Sequence, residues 1–337
     1  MPSEMEIDPY ENDPGRWGAS LINVQEVLIP CLRASGVRSV AEVGAYAGDL
    51  TGLLLDWAQG AGGHVVAIDP TPEPQLVELS ERRSELELVC ETSHDALRHL
   101  ALPDAVIIDG DHNYYTVSEE LRLIDERAPG ADIPLLMFHD VGWPHARRDT
   151  YFAPERIPDE HRQPMVQRGG VFPGDPGIVD GGLTFYWAAE REGGPGNGVL
   201  TAIEDFLERR NDLRLATLPM FFGFGIVWRR DAPWAGAVAE IVEPWEANPL
   251  LERLEANRVH HLATVSVLSV ELARAHEELA RLREQSVKQE RQEELLRLML
   301  DSRAFALADR LSRVRNPARA VSWRDEVRRV LGEEGTG

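Results

Sequence analysis

Residues 39–49 read SVAEVGAYAGD. A short run of strand character passes into a loop carrying Gly44 and Gly48, and a helix with apolar spacing starts near Asp49. Glycine lets the backbone turn sharply and approach a ligand closely. A helix that begins at the same spot leaves its first N–H groups unpaired there. The spacing is GxxxG rather than the GxGxxG of dinucleotide sites. Around this stretch lie further strand-like runs at 64–69, 87–90, 105–109 and 134–138, with the first at 39–44. Helical spacing occupies 20–35, 49–59, 73–83, 94–100 and 117–128. Strands alternating with helices predict an α/β fold with a doubly wound, mostly parallel sheet, and ligands at the carboxyl ends of its strands.

Residues 141–198 break the rhythm. They are rich in Gly, Pro, Arg and aromatics, as in VGWPHARRDTYFAPERIP. A connection this long is uncommon in a compact domain unless it is functional, so an ordered lid or substrate wall is expected. Its aromatics, among them Trp143, Tyr151, Phe172 and Trp187, suit either stacking on a substrate or a small core of their own. Arg147 and Arg148 suit either an acidic substrate group or neighbouring carboxylates. A helix over 198–210 and two runs at 213–218 and 223–228, read as an edge hairpin, complete a seven-stranded sheet.

The 337 residues carry 35 basic against 57 acidic side chains, a net of −22. From Leu251 onward the count is 16 basic and 15 acidic, so residues 1–250 carry 19 and 42, a net of −23. Such acidity repels a nucleic-acid backbone and an anionic membrane. No apolar run is long enough to span a bilayer, and the opening MPSEMEIDPYEND lacks the parts of a signal peptide. Cys31 and Cys90 make no disulfide framework. A cytoplasmic protein is expected.

From Leu254 a 4-3 spacing runs through 258, 261, 265, 268, 272, 275, 279, 282, 286, 289, 293, 296 and 300; nine of these fourteen positions are apolar, and 265–282 wholly so. This predicts a long helix over 250–302 and, as partner, a homo-oligomer through a coiled coil; a helix folded back on its own domain is the alternative. The basic helical tail 303–337 holds eight arginines against three acids over 303–330. It suits docking on the acidic domain, or an anionic membrane surface. The expected division is 1–245, with 141–198 as its insertion, then 250–302 and 303–337.

Chemistry-bearing residues gather where strands end. Asp69 closes VVAIDP, where a carboxylate can accept both hydroxyls of a ribose; a dinucleotide site would want the same acid, and a turn aspartate is the structural alternative. The run IIDGDHNYY places Asp109, Asp111 and His112 after the fourth strand. Phe138-His139-Asp140 ends the fifth. Oxygen ligands from Asp109 and Asp140 suit a hard divalent ion, with His139 as a third ligand or a loop anchor. Asp111 or His112 can serve as general base.

The set EVGAYAGDLT, VVAIDP, VIIDGDHNYY and FHDVGWPHARRD resembles the class I S-adenosylmethionine-dependent methyltransferases. More narrowly it is similar to the bacterial "IDGDHxY" subgroup, akin to metal-dependent O-methyltransferases of natural-product sugars. The resemblance covers about residues 15–230. It implies that Glu42, Gly44, Tyr46 and Gly48 cradle the methionine end of the cofactor, and that Asp69 binds its ribose. Ser93 and His94 would border the adenine. Asp109 would face the cofactor or the metal, Asp111 or His112 would be the base, and Asp140 a second ligand of Mg²⁺ or Mn²⁺. The sugar enzymes commonly have two adjacent acids where this chain has His139-Asp140. The implied activity is O-methylation of a small molecule. Two other readings are a nicotinamide-dependent oxidoreductase, against which GxxxG counts, and a non-catalytic assembly protein with a vestigial cofactor fold.

Overall fold

The computed structural model describes residues 20–128, 133–316 and 321–333. The N-terminal MPSEMEIDPYEND and parts of the basic tail (317–320 and 334–337) lie outside the described residues. The chain forms two compact units, Met1–Val267 and Leu268–Gly337.

In the first unit, strands and helices alternate: α1 (Gln25–Ser35), β1 (Ser39–Val43), α2 (Asp49–Ala61), β2 (His64–Ile68), α3 (Pro74–Arg82), β3 (Leu86–Val89), α4 (Ser93–His99), β4 (Ala105–Ile108), α5 (Tyr114–Arg127) and β5 (Leu135–Phe138). Local chemistry sets the ends. Gly36 takes a left-handed conformation (φ 68°) and stops α1, as a glycine just past a helix does. Thr92 caps α4 by accepting from Asp95 N–H, and Asn113 caps α5 by accepting from Thr116 N–H at 2.8 Å. The asparagine cap explains why α5 starts three residues before its apolar spacing does.

Residues 141–198 hold small strands, not a bare loop: β6 (Thr150–Tyr151), β7 (Met165–Gln167), β8 (Gly170–Val171), β9 (Leu183–Thr184) and β10 (Trp187–Ala189). β6, β10 and β7 form one antiparallel sheet and β8 with β9 another. Then come α6 (Val199–Leu207), β11 (Leu213–Leu218), β12 (Phe224–Arg229) and α7 (Ala235–Val242).

The main sheet has the order β11-β12-β5-β4-β1-β2-β3. β1 to β5 are parallel, while β12 runs antiparallel to both β5 and β11. This seven-stranded sheet with flanking helices is the Rossmann-like methyltransferase fold. Successive strand residues point to opposite faces: Val65 and Ala67 join a core under α1, α2 and α7, while Val66 and Ile68 join a second under α4, α5 and α6. Both faces are covered, so the central strands are mostly apolar, with Glu42 of β1 a buried exception. Leu54 and Leu55 of α2 are wholly buried, each worth roughly 2 kcal/mol of transfer free energy.

The chain order reverses between β1 and β4, so the carboxyl ends of these two strands open a crevice. A 53-residue helix, α8 (Pro249–Asp301), follows, then α9 (Arg303–Arg315) and α10 (Trp323–Val330). The first turns of α8 belong to the first unit and the rest to the second. Among the described residues no helix is long and apolar enough to cross a membrane.

Candidate functional site

The loop after β1 is built on close approach. Gly44 donates its N–H to the Ile68 carbonyl at 2.9 Å and sits at φ 84°. A Cβ at Gly44 would lie 2.0 Å from the Asp109 carbonyl oxygen, so only glycine lets β1 and β4 meet here. Tyr46 takes φ 43°, an uncommon conformation for a side-chain-bearing residue, and its ring is exposed. Its N–H donates to Asp69 Oδ2 at 2.8 Å, while Asp69 Oδ1 accepts from Thr71 N–H at 2.8 Å. Asp69 thus ties the ends of β1 and β2 together, and each of its oxygens keeps a second lone pair. Gly48, at φ 89°, starts α2. Glu42 is buried and accepts from the Thr51 hydroxyl at 2.6 Å. Burial pushes its carboxyl up to about 8.

The ends of β4 and β5 carry the densest polar cluster. His139 Nε2 donates to the Phe221 carbonyl at 2.8 Å. That bond fixes the ring: Nδ1 then faces Asp109 Oδ1 at 3.1 Å and Asp140 Oδ2 at 3.6 Å. A bare nitrogen lone pair would repel these oxygens, so a cation belongs at Nδ1. Burial opposes a proton there, but Asp140 and Asp109 outweigh it and raise His139 to about 10.

Asp140 leaves β5 at φ 59°, a strained geometry of the kind found at functional sites. Its carboxylate contacts His112 Nδ1 directly and lies 4.0 Å from His145 Nε2. Burial would raise Asp140, but His139 and His112 hold it well below the usual carboxylate range. His112 is raised, the pull of Asp140 exceeding the cost of burial. His145 is pushed down to about 3 by burial. Asp111 accepts from Phe152 N–H at 3.1 Å, and burial raises it.

On the other side of the crevice, Ser93 opens α4. His94 Nε2 lies 3.1 Å from the Thr116 carbonyl, its ring edge-on to Tyr115. Beneath the Asp109–His112 loop, Glu120 of α5 is buried, with neither oxygen in a hydrogen bond of ordinary geometry among the described residues. Burial pushes it up to about 8, Ser93 lowering it in part. Tyr114 donates its hydroxyl to Asp205 at 2.8 Å, which gives it a packing role.

Arg147 and Arg148 of the insertion are committed. Arg147 forks onto Glu204 at 2.5 and 2.8 Å. Arg148 is wholly buried and donates to the carbonyls of Ala189, Pro176 and Gly177. Tyr151 is buried, whereas Phe152 and Tyr186 are exposed. The insertion therefore has both a small core and exposed rings.

The structure brings Asp109, Asp111, His112, His139 and Asp140 to one crevice, with Glu42, Gly44, Tyr46, Gly48 and Asp69 along its β1–β2 side. Sequence reasoning missed His145, Glu120 and the Phe221 carbonyl. The sixth residue after His139 carries no local signal of its own. Among the described residues, two groups have donor atoms within 4.8 Å of one another: Asp109, His139 and Asp140, and His112, Asp140 and His145.

Residues 41–141 match the model of a family described as "Methyltransferase domain". The match takes in the β1 loop, Asp69, the Asp109–His112 run and His139-Asp140, so the chain carries a methyltransferase domain. A comparison with curated proteins finds none that matches. Among solved structures, similarity is found to the SAH-bound Podospora anserina methyltransferase PaMTH1, at 14% identity over 66% of this chain and 84% of that one, TM-score 0.39. A second is the O-methyltransferase NcsB1 from neocarzinostatin biosynthesis (12%, 64% and 62%, TM-score 0.35). A third is the Burkholderia thailandensis 1,6-didemethyltoxoflavin-N1-methyltransferase (13%, 66% and 89%, TM-score 0.32).

Proposed function

We propose that this methyltransferase is S-adenosylmethionine-dependent and methylates a hydroxyl of a small molecule, a sugar of a glycoside or natural product being the class we favour. The observation that carries the reading is the His112–Asp140 pair at the mouth of β4 and β5, beside the glycine cradle of β1. S-Adenosylmethionine would supply a methyl carbon on a sulfonium, open to in-line attack by the acceptor oxygen with the thioether S-adenosylhomocysteine as leaving group. The protein must orient the acceptor and take its proton.

His112 is the base in this reading. Asp140 engages Nδ1, which leaves Nε2 to accept the acceptor's proton and lets the carboxylate stabilise the imidazolium that results. Asp111 borders the same loop and is the alternative base. Gly44 and Gly48 leave room for the methionine end of the donor, Asp69 offers its spare lone pairs to a ribose, and Ser93 and His94 border the adenine.

The chemistry of Asp109, His139 and Asp140 suits a divalent ion, Mg²⁺ or Mn²⁺. Two carboxylates and a ring nitrogen converge, and the histidine's other nitrogen donates to a backbone carbonyl, as metal-bound histidines do. Such an ion would chelate vicinal hydroxyls and lower the pKa of one. We read 141–198 as the wall of the acceptor pocket, and a second copy of the chain, bound through α8, as the partner. The free cysteines, Cys31 buried and Cys90 exposed, suit a reducing cytoplasm.

Calorimetry of the full chain with S-adenosylmethionine and with NADH tests the donor: binding of the first alone is expected, and binding of NADH alone or of neither overturns the reading. Once an acceptor is found, His112→Ala is expected to lower turnover by roughly 10²-fold or more, the usual scale for a lost base. Near-normal turnover in both His112→Ala and Asp111→Asn would remove the base assignment.

A further inference from the structure

We propose that His112, Asp140 and His145 form a nitrogen-rich site for a divalent transition-metal ion of the zinc class, sharing only Asp140 with the group of Asp109, His139 and Asp140. The donor atoms of the three residues lie within 4.8 Å of one another. A tetrahedral ion with bonds of about 2.05 Å needs ligands roughly 3.3 Å apart. His145 Nε2 stands 4.0 Å from Asp140 Oδ1, and His112 Nδ1 contacts Asp140 Oδ2. One pair must close by less than an ångström or so and the other must open, with the ion taking the place of the shared proton.

The surroundings favour ligation over chance proximity. His145 Nδ1 lies 3.1 Å from the Thr150 hydroxyl, which leaves Nε2 toward Asp140. This is the outer-shell support that orients a metal-bound histidine. Thr150 also donates its N–H to the His112 carbonyl at 2.9 Å, so one residue braces both histidines. The His145 segment is pinned as well: Ala146 N–H donates to the Gly142 carbonyl at 2.7 Å and Val199 N–H to the His145 carbonyl at 2.9 Å. The two imidazoles stand 4.6 Å apart, with Phe152 against one and Phe185 against the other. Asp140 holds its strained backbone at the point where both rings meet.

Donor chemistry sets the selectivity. Two imidazoles and one carboxylate suit Zn²⁺, Co²⁺, Ni²⁺ or Fe²⁺, whereas Mg²⁺ favours a shell dominated by oxygen, as the two carboxylates of the other group offer. An ion here occupies His112 and removes it from proton transfer. This consequence, though not the site itself, rests on the reading of His112 as base.

The test uses the metal-stripped full-length chain. Titration with Co²⁺, followed by visible absorption, is expected to give bands of a nitrogen-containing site at one ion per chain. Zn²⁺ should displace them stoichiometrically. His145→Ala and His145→Gln should both abolish the bands, while Asp109→Asn retains them. Thr150→Val should weaken Zn²⁺ binding roughly 10- to 100-fold, the usual cost of an outer-shell loss. Far-UV circular dichroism shows whether each variant folds; the glutamine variant keeps the bulk of the ring if alanine does not fold. Bands that survive in both folded His145 variants, or that Asp109→Asn abolishes, put the ion in the acid-rich group and overturn the inference. So does the absence of any Co²⁺ or Zn²⁺ binding. Binding of S-adenosylmethionine is measured in parallel. Its failure with the cobalt bands intact removes the methyltransferase reading and leaves the metal site standing.

Discussion

Glu120→Gln isolates the electrostatic cost stored under the Asp109–His112 loop. The Glu120 carboxyl is buried and raised from an ordinary 4.5 to about 8. Near neutral pH the folded protein therefore holds a proton there that the unfolded chain has released. The stabilising effect of that proton is complete below about 4.5 and is lost as pH rises through about 8. At 1.36 kcal/mol per pH unit, and allowing for partial ionisation at each end, stability should fall by roughly 3 kcal/mol between pH 5 and pH 8 through this residue alone. Glutamine keeps the shape and never ionises. Its unpaired amide costs a further ~1–3 kcal/mol, but at every pH alike. Urea unfolding followed by tryptophan fluorescence at pH 5, 6, 7 and 8 reads the effect. The wild type should lose stability across the series, and Glu120→Gln should lose about 3 kcal/mol less. Glu42, also raised to about 8, supplies a second slope that remains in the variant. Equal pH dependence in the two proteins would refute the reasoning, because it would mean that Glu120 titrates as if exposed.

Gly44→Ala must push β1 from β4, since its Cβ meets the Asp109 carbonyl at 2.0 Å and φ is 84°; about 3 kcal/mol or more of stability should go, together with donor binding by calorimetry. Gly60→Ala in α2, where a Cβ meets nothing within 4 Å, is the control and should change urea stability by no more than about 1 kcal/mol, in the stabilising direction. Arg148→Met strands three carbonyl acceptors. It should cost about 3 kcal/mol and open the 176–192 segment to limited proteolysis. Leu272→Asp with Leu279→Asp places charges on the exposed apolar seam of α8; sedimentation should show an oligomer reduced to monomer, and a monomeric wild type would remove the coiled-coil proposal.

The sheet was legible because its signals are local. The inner parallel strands are largely apolar runs covered on both faces, and α2, α4, α5 and α6 start at a Gly, Thr or Asn. The polar cluster at the strand ends was legible for the same reason, since Asp69 and Asp109 follow directly on the runs that place them and His139-Asp140 follows on the fifth strand. What escaped depends on contacts between distant segments. Phe221 orients His139 from 82 residues away. His145 gains meaning only because the chain turns back after Asp140, and Glu120 because α5 packs beneath the loop it follows. The strands inside 141–198 are two or three residues long, too short for alternation to show. Arg147 and Arg148 look alike in sequence. One lies half-exposed beside Glu204, the other wholly buried among carbonyls, and nothing adjacent to either tells them apart.

The boundary that composition draws near residue 250 is not a place to cut. Phe222 N–H donates to Glu255 Oε1 at 2.8 Å, and Arg258 lies over the Phe222 ring at 4.4 Å. Phe221, the neighbour so held, is the residue whose carbonyl fixes the His139 ring. Farther along, the Ser266 hydroxyl donates to the Gly182 carbonyl at 2.5 Å. An expression fragment ending at residue 248 would keep every strand and every catalytic candidate, yet lose the brace behind one imidazole. The first five turns of the long helix are thus working parts of the enzyme half, and a fragment meant to isolate that half has to reach residue 267.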